Sequence, residues 1–111
     1  MKLATIVKSA TLAGIIATTL ATSAAAQNRW VTIVNRTGYT IMEFYSTNVN
    51  ANSWGGDVLG NRVISHGGQI DINFDDGSGQ CLFDFRAIFN DGDVLEASSV
   101  NVCEIGTYTY N

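Results

Sequence analysis

The stretch "QIDINFDDGSGQCLFDFRAIF" (residues 69–89) alternates apolar and polar residues on both sides of a turn-forming centre. Before the centre, Ile70, Ile72 and Phe74 alternate with polar residues. After it, the residues that share one strand face are Cys81, Phe83, Phe85, Ala87 and Phe89. A side-chain period of two is typical of half-buried β-strands. We therefore predict two strands here, joined by a β-turn at "DDGSG".

The same stretch also begins like a calcium-binding loop. In "DINFDDGSGQCL" (residues 71–82) the first, third and fifth positions are acidic or amide residues. An EF-hand loop needs Gly at its sixth position and a bidentate Glu at its twelfth, whereas this segment has Asp76 and Leu82 there. No helical pattern flanks it. We predict no metal site and no cofactor, and keep a cation-binding module, with Asp57 or an Asp-Gly turn as ligand, as an alternative.

Strand patterns extend in both directions from this centre. "WVTIVN" (residues 30–35) and "YTIMEFYS" (residues 39–46) predict a hairpin that turns at Gly38. The second Asp-Gly signal, "NDGD", predicts that "VLEAS" completes a meander with the two central strands, and "VNVCEIG" and "TYTYN" close the fold. Residues 47–61 form a long loop rich in Asn and Gly. The prediction is an all-β fold, a small antiparallel sandwich or barrel of about six to seven strands.

The first 26 residues have the order of a secretory signal peptide. Lys2 and Lys8 precede the apolar run "LAGIIATTL", and small residues follow in "ATSAAA". The apolar run is shorter than the ~20 residues that a membrane-spanning helix needs. We therefore expect cleavage after Ala26, a single β domain over residues 27–111 without a membrane span, and a periplasmic or secreted location.

The predicted mature chain is acidic. It keeps four arginines and no lysine against ten acidic residues, which gives a net charge of −6. Nucleic acids are poor partners for such a surface, because phosphate neutralisation requires clustered Lys and Arg. The partner is unknown; an envelope protein or a small ligand is compatible with the charge.

Two cysteines, Cys81 and Cys103, lie in the predicted exported part. An even number of cysteines in an oxidising compartment favours a disulfide bond. A redox pair or two metal ligands are the alternatives, but the chain has no C-x-x-C motif and a single histidine, His66. We predict a structural disulfide.

Motifs along most of the mature chain resemble a family of small exported proteobacterial domains of unknown function. The family pattern joins N-x-T-G-x-x-I, W-G-x-D-x-L-G, C-x-x-D-x-R, F-x-D-G and a final Cys. The matching positions are Asn35, Thr37, Gly38, Ile41, Trp54, Gly55, Asp57, Leu59, Gly60, Cys81, Asp84, Arg86, Phe89, Asp91, Gly92 and Cys103. Some relatives carry the name argininosuccinate lyase. That enzyme is a long helical tetramer, and 85 residues of strand cannot build its active site.

Two residue pairs are candidate functional groups. Trp54 and Asp57 lie in the glycine-rich loop and would suit a ligand or partner site. We favour the structural interpretation, in which Trp54 plugs one end of the core and Asp57 caps backbone amides. Asp84 and Arg86 share a strand face and predict a structural ion pair, with each other or with a neighbouring strand. No set of residues suits catalysis. We expect a non-enzymatic exported β-module that binds or supports something at the cell envelope; a small enzyme of unknown type is a further alternative.

Overall fold

The computed structural model describes residues 27–111, which form two three-stranded sheets packed face to face. The predicted signal peptide, residues 1–26, lies outside this part. The strands are β1 (Trp30–Asn35), β2 (Ile41–Asn48), β3 (Gln69–Asn73), β4 (Leu82–Phe89), β5 (Val94–Asn101) and β6 (Thr107–Tyr110). The predicted all-β fold with six to seven strands and one disulfide is confirmed.

Each sheet is built around one central strand. The first sheet has the order β3-β1-β6 and the second has the order β2-β4-β5. All neighbours are antiparallel except β1 and β6, which run parallel. A parallel pair needs a crossover connection. Here most of the chain, including the whole second sheet, lies between the two parallel strands, so the last strand can join the free edge of β1.

Two predicted hairpins are wrong, and one is confirmed. β1 and β2 belong to different sheets, as do β3 and β4, so the connections at Gly38 and at Asp76-Gly77 pass between layers. The "NDGD" turn does join β4 and β5 as an antiparallel hairpin. Turn-forming residues predict a reversal of the chain but not the layer it enters. In a sandwich, both inner apolar faces need a cover, which favours such crossings. In addition, β2 extends to Asn48, so the long loop begins two residues later than predicted.

The first crossing is held by one buried side chain. Asn35 ends β1 and is fully buried. Its amide nitrogen donates hydrogen bonds to the carbonyl oxygens of Tyr39 (2.7 Å) and Ile64 (2.8 Å). Its amide oxygen accepts from the backbone N–H (3.1 Å) and the hydroxyl (2.7 Å) of Thr37. The Asn35 amide therefore connects three segments at the corner between the sheets.

Hydrogen bonds from outside and inside the segment stabilise the second crossing, between β3 and β4. Arg29 donates hydrogen bonds to the carbonyl oxygens of Gln80 and Gly79, each at 3.0 Å. The Asp76 carboxylate accepts from Ser78 and from the Asn48 side chain. Partial burial opposes the shift, but the hydrogen bonds from Ser78 and Asn48 outweigh it and hold the pKa of Asp76 below its usual value. These hydrogen bonds fix the connection between the two sheets.

Gly77 in this connection has a backbone conformation that residues with a side chain rarely adopt. Its φ is +83° with open space around the Cβ position, while Gly56 also has open space but an ordinary φ. We expect Gly77→Ala to lower the free energy of unfolding by about 1 kcal/mol, because left-handed backbone strains an L-residue. The matched change Gly56→Ala should cost nothing measurable or stabilise slightly. Urea unfolding of both variants checks this, and equal midpoints would contradict it.

The core lies between the sheets and centres on packed phenylalanines. Phe85 contacts Phe74 and Phe44, with ring centroids 5.0 and 5.2 Å apart. The buried residues of β4 are Phe83, Phe85, Ala87 and Phe89. This is the face that the period-two pattern predicted. The remaining side chains of β4 point outward and form the centre of the surface described below.

The buried hydroxyl of Tyr110 has no hydrogen-bond partner within residues 27–111. Burial raises the pKa of this phenol well above its ordinary value. A buried polar group without a partner destabilises the folded state. We expect Tyr110→Phe to keep the fold and raise the free energy of unfolding by about 1 kcal/mol. Thermal and urea unfolding beside Tyr39→Phe, an exposed control, measure this; a clear loss of stability in Tyr110→Phe would contradict it.

Candidate functional site

The outer face of the second sheet carries the candidate residues. β2 and β4 pair so that Tyr45 lies opposite Arg86 and Thr47 lies opposite Asp84, and on the other side Arg86 lies opposite Glu96 of β5. In β4, Asp84 and Arg86 alternate with buried residues. They and the residues paired opposite them therefore point away from the core. The loop of residues 49–63 brings Trp54 onto this face.

Arg86 lies between a carboxylate and an aromatic ring. Its Nε donates to the Glu96 carboxylate at 2.6 Å. Its guanidinium carbon lies 4.6 Å from the centre of the Trp54 ring, in a cation–π contact. The side chains of Arg86 and Glu96 are 33% and 50% exposed, so the ion pair adds no more than about 1 kcal/mol. Its main effect is to position the guanidinium under Trp54.

Asp84 does not pair with Arg86. Its Oδ1 accepts a hydrogen bond from the backbone N–H of Ser99 at 2.9 Å. Opposite Asp84, β5 contains an extra residue, since Phe83 pairs with Val100 and Phe85 with Ala97. Ser99 has a φ of 56°, which is uncommon for a residue other than Gly. Asp84 therefore stabilises a β-bulge, and the predicted ion pair of Arg86 is made with the neighbouring strand instead.

Asp57 fixes the long loop onto β2. Its Oδ1 accepts hydrogen bonds from the backbone N–H groups of Phe44 and Leu59, both at 2.9 Å. Val58 donates its N–H to the carbonyl of Phe44 at 2.8 Å, and Leu59 is buried. These contacts are the capping role predicted for Asp57, whereas Trp54 lies half-buried against Arg86 on the outer face and does not plug the core. The structure thus brings Trp54 together with Arg86 and Asp84 rather than with Asp57.

An open groove of about 190 Å³ lies beside Trp54. We call it the Trp54 groove; it is lined by Thr47, Ala51, Asn52, Ser53, Trp54 and Asp84. The indole is half-buried, with Asn52 and Ser53 exposed beside it. Neither Asn52 nor Ser53 makes a side-chain hydrogen bond within the described part of the chain, and the Oδ2 of Asp84 has no partner there either. The groove therefore combines one aromatic surface with several polar groups available to a ligand.

A second groove of about 170 Å³ lies near the hairpin turn between β4 and β5. It is lined by Thr37, Tyr39, Phe89, Asp91, Asp93, Leu95 and Asn111. Tyr39 and Leu95 are exposed. The Oδ1 of Asp91 accepts from the backbone N–H of Asp93 at 3.0 Å, so one of the two carboxylates shapes the turn.

Carboxylate oxygens of Asp71 and Asp75, in the calcium-like segment, accept hydrogen bonds within the protein. Asp71 accepts from the Thr32 hydroxyl at 2.6 Å, and Asp75 accepts from the N–H of Gly77 at 3.1 Å. Among residues 27–111, no three His, Cys, Asp or Glu side chains come together as a cation would require. His66 accepts a hydrogen bond at Nδ1 from the N–H of Gly38, 2.9 Å away. This histidine ties two loops together.

Several groove residues carry no sequence signal of their own. Thr47 is a polar strand residue like many others, while Asn52 and Ser53 occur in a loop rich in such residues. Outside the groove, on the same strand, Glu43 accepts a hydrogen bond from the Tyr45 hydroxyl, and this bond raises the pKa of Tyr45. Only Trp54, a large aromatic residue in a polar loop, marks the place in the sequence.

Comparisons of the chain with protein-family models, with curated proteins and with solved structures find no match. Membership of the exported proteobacterial family therefore stays a prediction. Within the residues that the structure describes, no helix has the length and apolar character to cross a membrane.

Proposed function

We propose that this protein is an exported, non-catalytic binding module of the bacterial cell envelope that contacts its ligand through the Trp54 groove. The sequence of the first 26 residues supports export. The bond between Cys81 and Cys103 suits an oxidising compartment such as the periplasm or the extracellular space.

The observation that carries this proposal is the combination of groups in the groove. A half-buried indole lies beside polar side chains that have no partner within residues 27–111. Small-molecule sites typically combine an apolar or aromatic surface with a few polar groups that fix orientation. Because Arg86 and Asp57 fix the sheet face and the loop, the groove is formed before any ligand arrives.

The roles of the charged residues favour binding over catalysis. Asp57 and Asp84 accept backbone N–H groups, and Arg86 is paired with Glu96. Acid–base or nucleophilic catalysis needs a base within hydrogen-bond reach of a nucleophile or a second titratable group poised on the substrate. These carboxylates instead hold a loop and a bulge in place.

Affinity capture tests the proposal. Protein purified after expression of the full-length chain is immobilised and exposed to a soluble envelope extract, beside Trp54→Ala and Trp30→Ala variants. Trp30 is 54% exposed on β1, in the other sheet, and serves as the matched control. We expect one component retained by the unchanged protein and by Trp30→Ala, and lost with Trp54→Ala. Equal retention by all three, or none by any, would overturn the role of the groove.

A further inference from the structure

We propose that the Trp54 groove binds a ring of a neutral saccharide. This inference rests on the proposed function of the groove and adds the chemical class of its ligand. Three features of the groove support it, namely the aromatic surface, the polar groups without partners within residues 27–111, and the arrangement of charges around them.

The aromatic surface is fixed and partly open. Arg86 covers part of the indole of Trp54, and the indole also lines the groove. The face of an aromatic ring carries partial negative charge. The C–H groups on one face of a sugar ring carry partial positive charge and pack against such a surface. The groove measures about 190 Å³, which is below the ~300–1,000 Å³ of typical small-molecule pockets, so it suits a single ring rather than a larger ligand.

The polar groups match hydroxyl groups. Asn52 offers an amide donor and acceptor, Ser53 offers a hydroxyl, and Asp84 offers its Oδ2 as an acceptor, while Thr47 adds a further hydroxyl to the wall. A sugar hydroxyl donates one hydrogen bond and accepts others, so neighbouring hydroxyls can use an amide and a carboxylate together. Hydrogen bonds to a charged acceptor are the stronger ones. The oxygen of Asp84 is therefore the main anchor.

The charges of the site disfavour the other common ligands. An anionic ligand would meet the Asp84 carboxylate, and the nearest cation, Arg86, is already bound by Glu96. An organic cation would suit the carboxylate. However, Trp54 already has a cation against its ring, and the remaining polar lining residues, Thr47, Asn52 and Ser53, are neutral. A neutral ligand rich in hydroxyl groups fits this arrangement best.

Tryptophan fluorescence provides the test, because the chain has two tryptophans. Trp30→Phe protein, made from the full-length chain, leaves Trp54 as the reporter. It is titrated with the trimer of N-acetylglucosamine, with maltotriose, and with choline and lysine as cationic probes. We expect saturable changes in Trp54 emission with at least one oligosaccharide and none with choline or lysine.

Two variants in the Trp30→Phe background test whether the saccharide contacts Asp84 and Asn52. Asp84→Asn keeps an oxygen for the N–H of Ser99 but removes the charge, and should weaken saccharide binding about tenfold. Asn52→Ala changes an exposed loop residue and should also weaken it. Unchanged affinity in both variants would overturn the inference, as would saturation by choline or lysine alone.

The proposal of a binding groove can survive the failure of this inference. If no saccharide binds but Trp54-dependent capture of an envelope component occurs, the saccharide assignment is wrong and the binding function stands. If saccharides fail and capture fails as well, both proposals are wrong.

Discussion

Replacing Asn35 by alanine should lower the free energy of unfolding by about 3–5 kcal/mol, because it removes the four hydrogen bonds of a fully buried side chain and leaves a cavity in its place. The Asn35 side chain bonds the carbonyls of Tyr39 and Ile64 and both donors of Thr37. For a chain of this size the whole free energy of unfolding is about 4–13 kcal/mol. The variant should therefore lose much of its stability or fail to fold.

Urea unfolding at neutral pH measures this effect. The matched control is Asn61→Ala, in which an exposed loop residue is changed and the cost should stay within about 0.5 kcal/mol. If Asn35→Ala does not accumulate, Asn35→Ser and Asn35→Gln, which each retain part of the hydrogen-bonding capacity, give intermediate values. Equal stability of the Asn35→Ala and Asn61→Ala proteins would show that this corner does not hold the sheets together.

Loss of the disulfide should have the second largest effect, about 3 kcal/mol, since the bond closes a loop of 22 residues. Cys81 precedes β4, and Cys103 lies in the turn after β5, with Cα atoms 5.3 Å apart. The bond ties the start of the central strand of the second sheet to the connection that leads to β6. Reduction should therefore lower the melting temperature of the protein.

Unfolding with and without a reductant tests the role of the disulfide, and a Cys81→Ser/Cys103→Ser protein is the control. The doubly substituted protein should melt near the temperature of the reduced protein and should not respond to reductant. If thiol labelling of the native exported protein finds both cysteines free, the disulfide and its predicted contribution are wrong.

The strands of this fold could be predicted from sequence where one face is buried. In β4, four buried residues alternate with outward-facing ones, and the period alone identifies the strand and its inner face. The disulfide followed from the number of cysteines and the predicted compartment. These features depend on local pattern and composition, which the sequence contains directly.

The assignment of strands to sheets could not be predicted in the same way. The residues at Gly38 and at Asp76-Gly77 predict hairpin turns. Contacts with distant residues instead direct the chain into the other sheet. Asn35 reaches the carbonyl of Ile64, 29 positions away, and Arg29 reaches Gln80, 51 positions away. A turn signal is local, whereas the choice of layer depends on such long-range hydrogen bonds.

The candidate site was predicted in part. Trp54 is a candidate from sequence because a Trp near a carboxylate in a glycine-rich loop would suit a ligand or partner. Its relation to Arg86 and Asp84 depends on how the loop folds over β4, and the role of Asp57 depends on which N–H groups it meets. The bulge at Ser99 has no glycine to indicate it. Sequence therefore located the loop but not the groove.

The most direct test of the central claim, that the Trp54 groove is the ligand-binding surface, is an NMR measurement of the two indole N–H resonances. Trp30→Phe assigns them, since only the Trp54 signal remains in that variant. On addition of a soluble envelope extract, the Trp54 resonance should shift or broaden while that of Trp30 stays in place. A Trp54 signal that does not change, or a change confined to Trp30, would contradict the account.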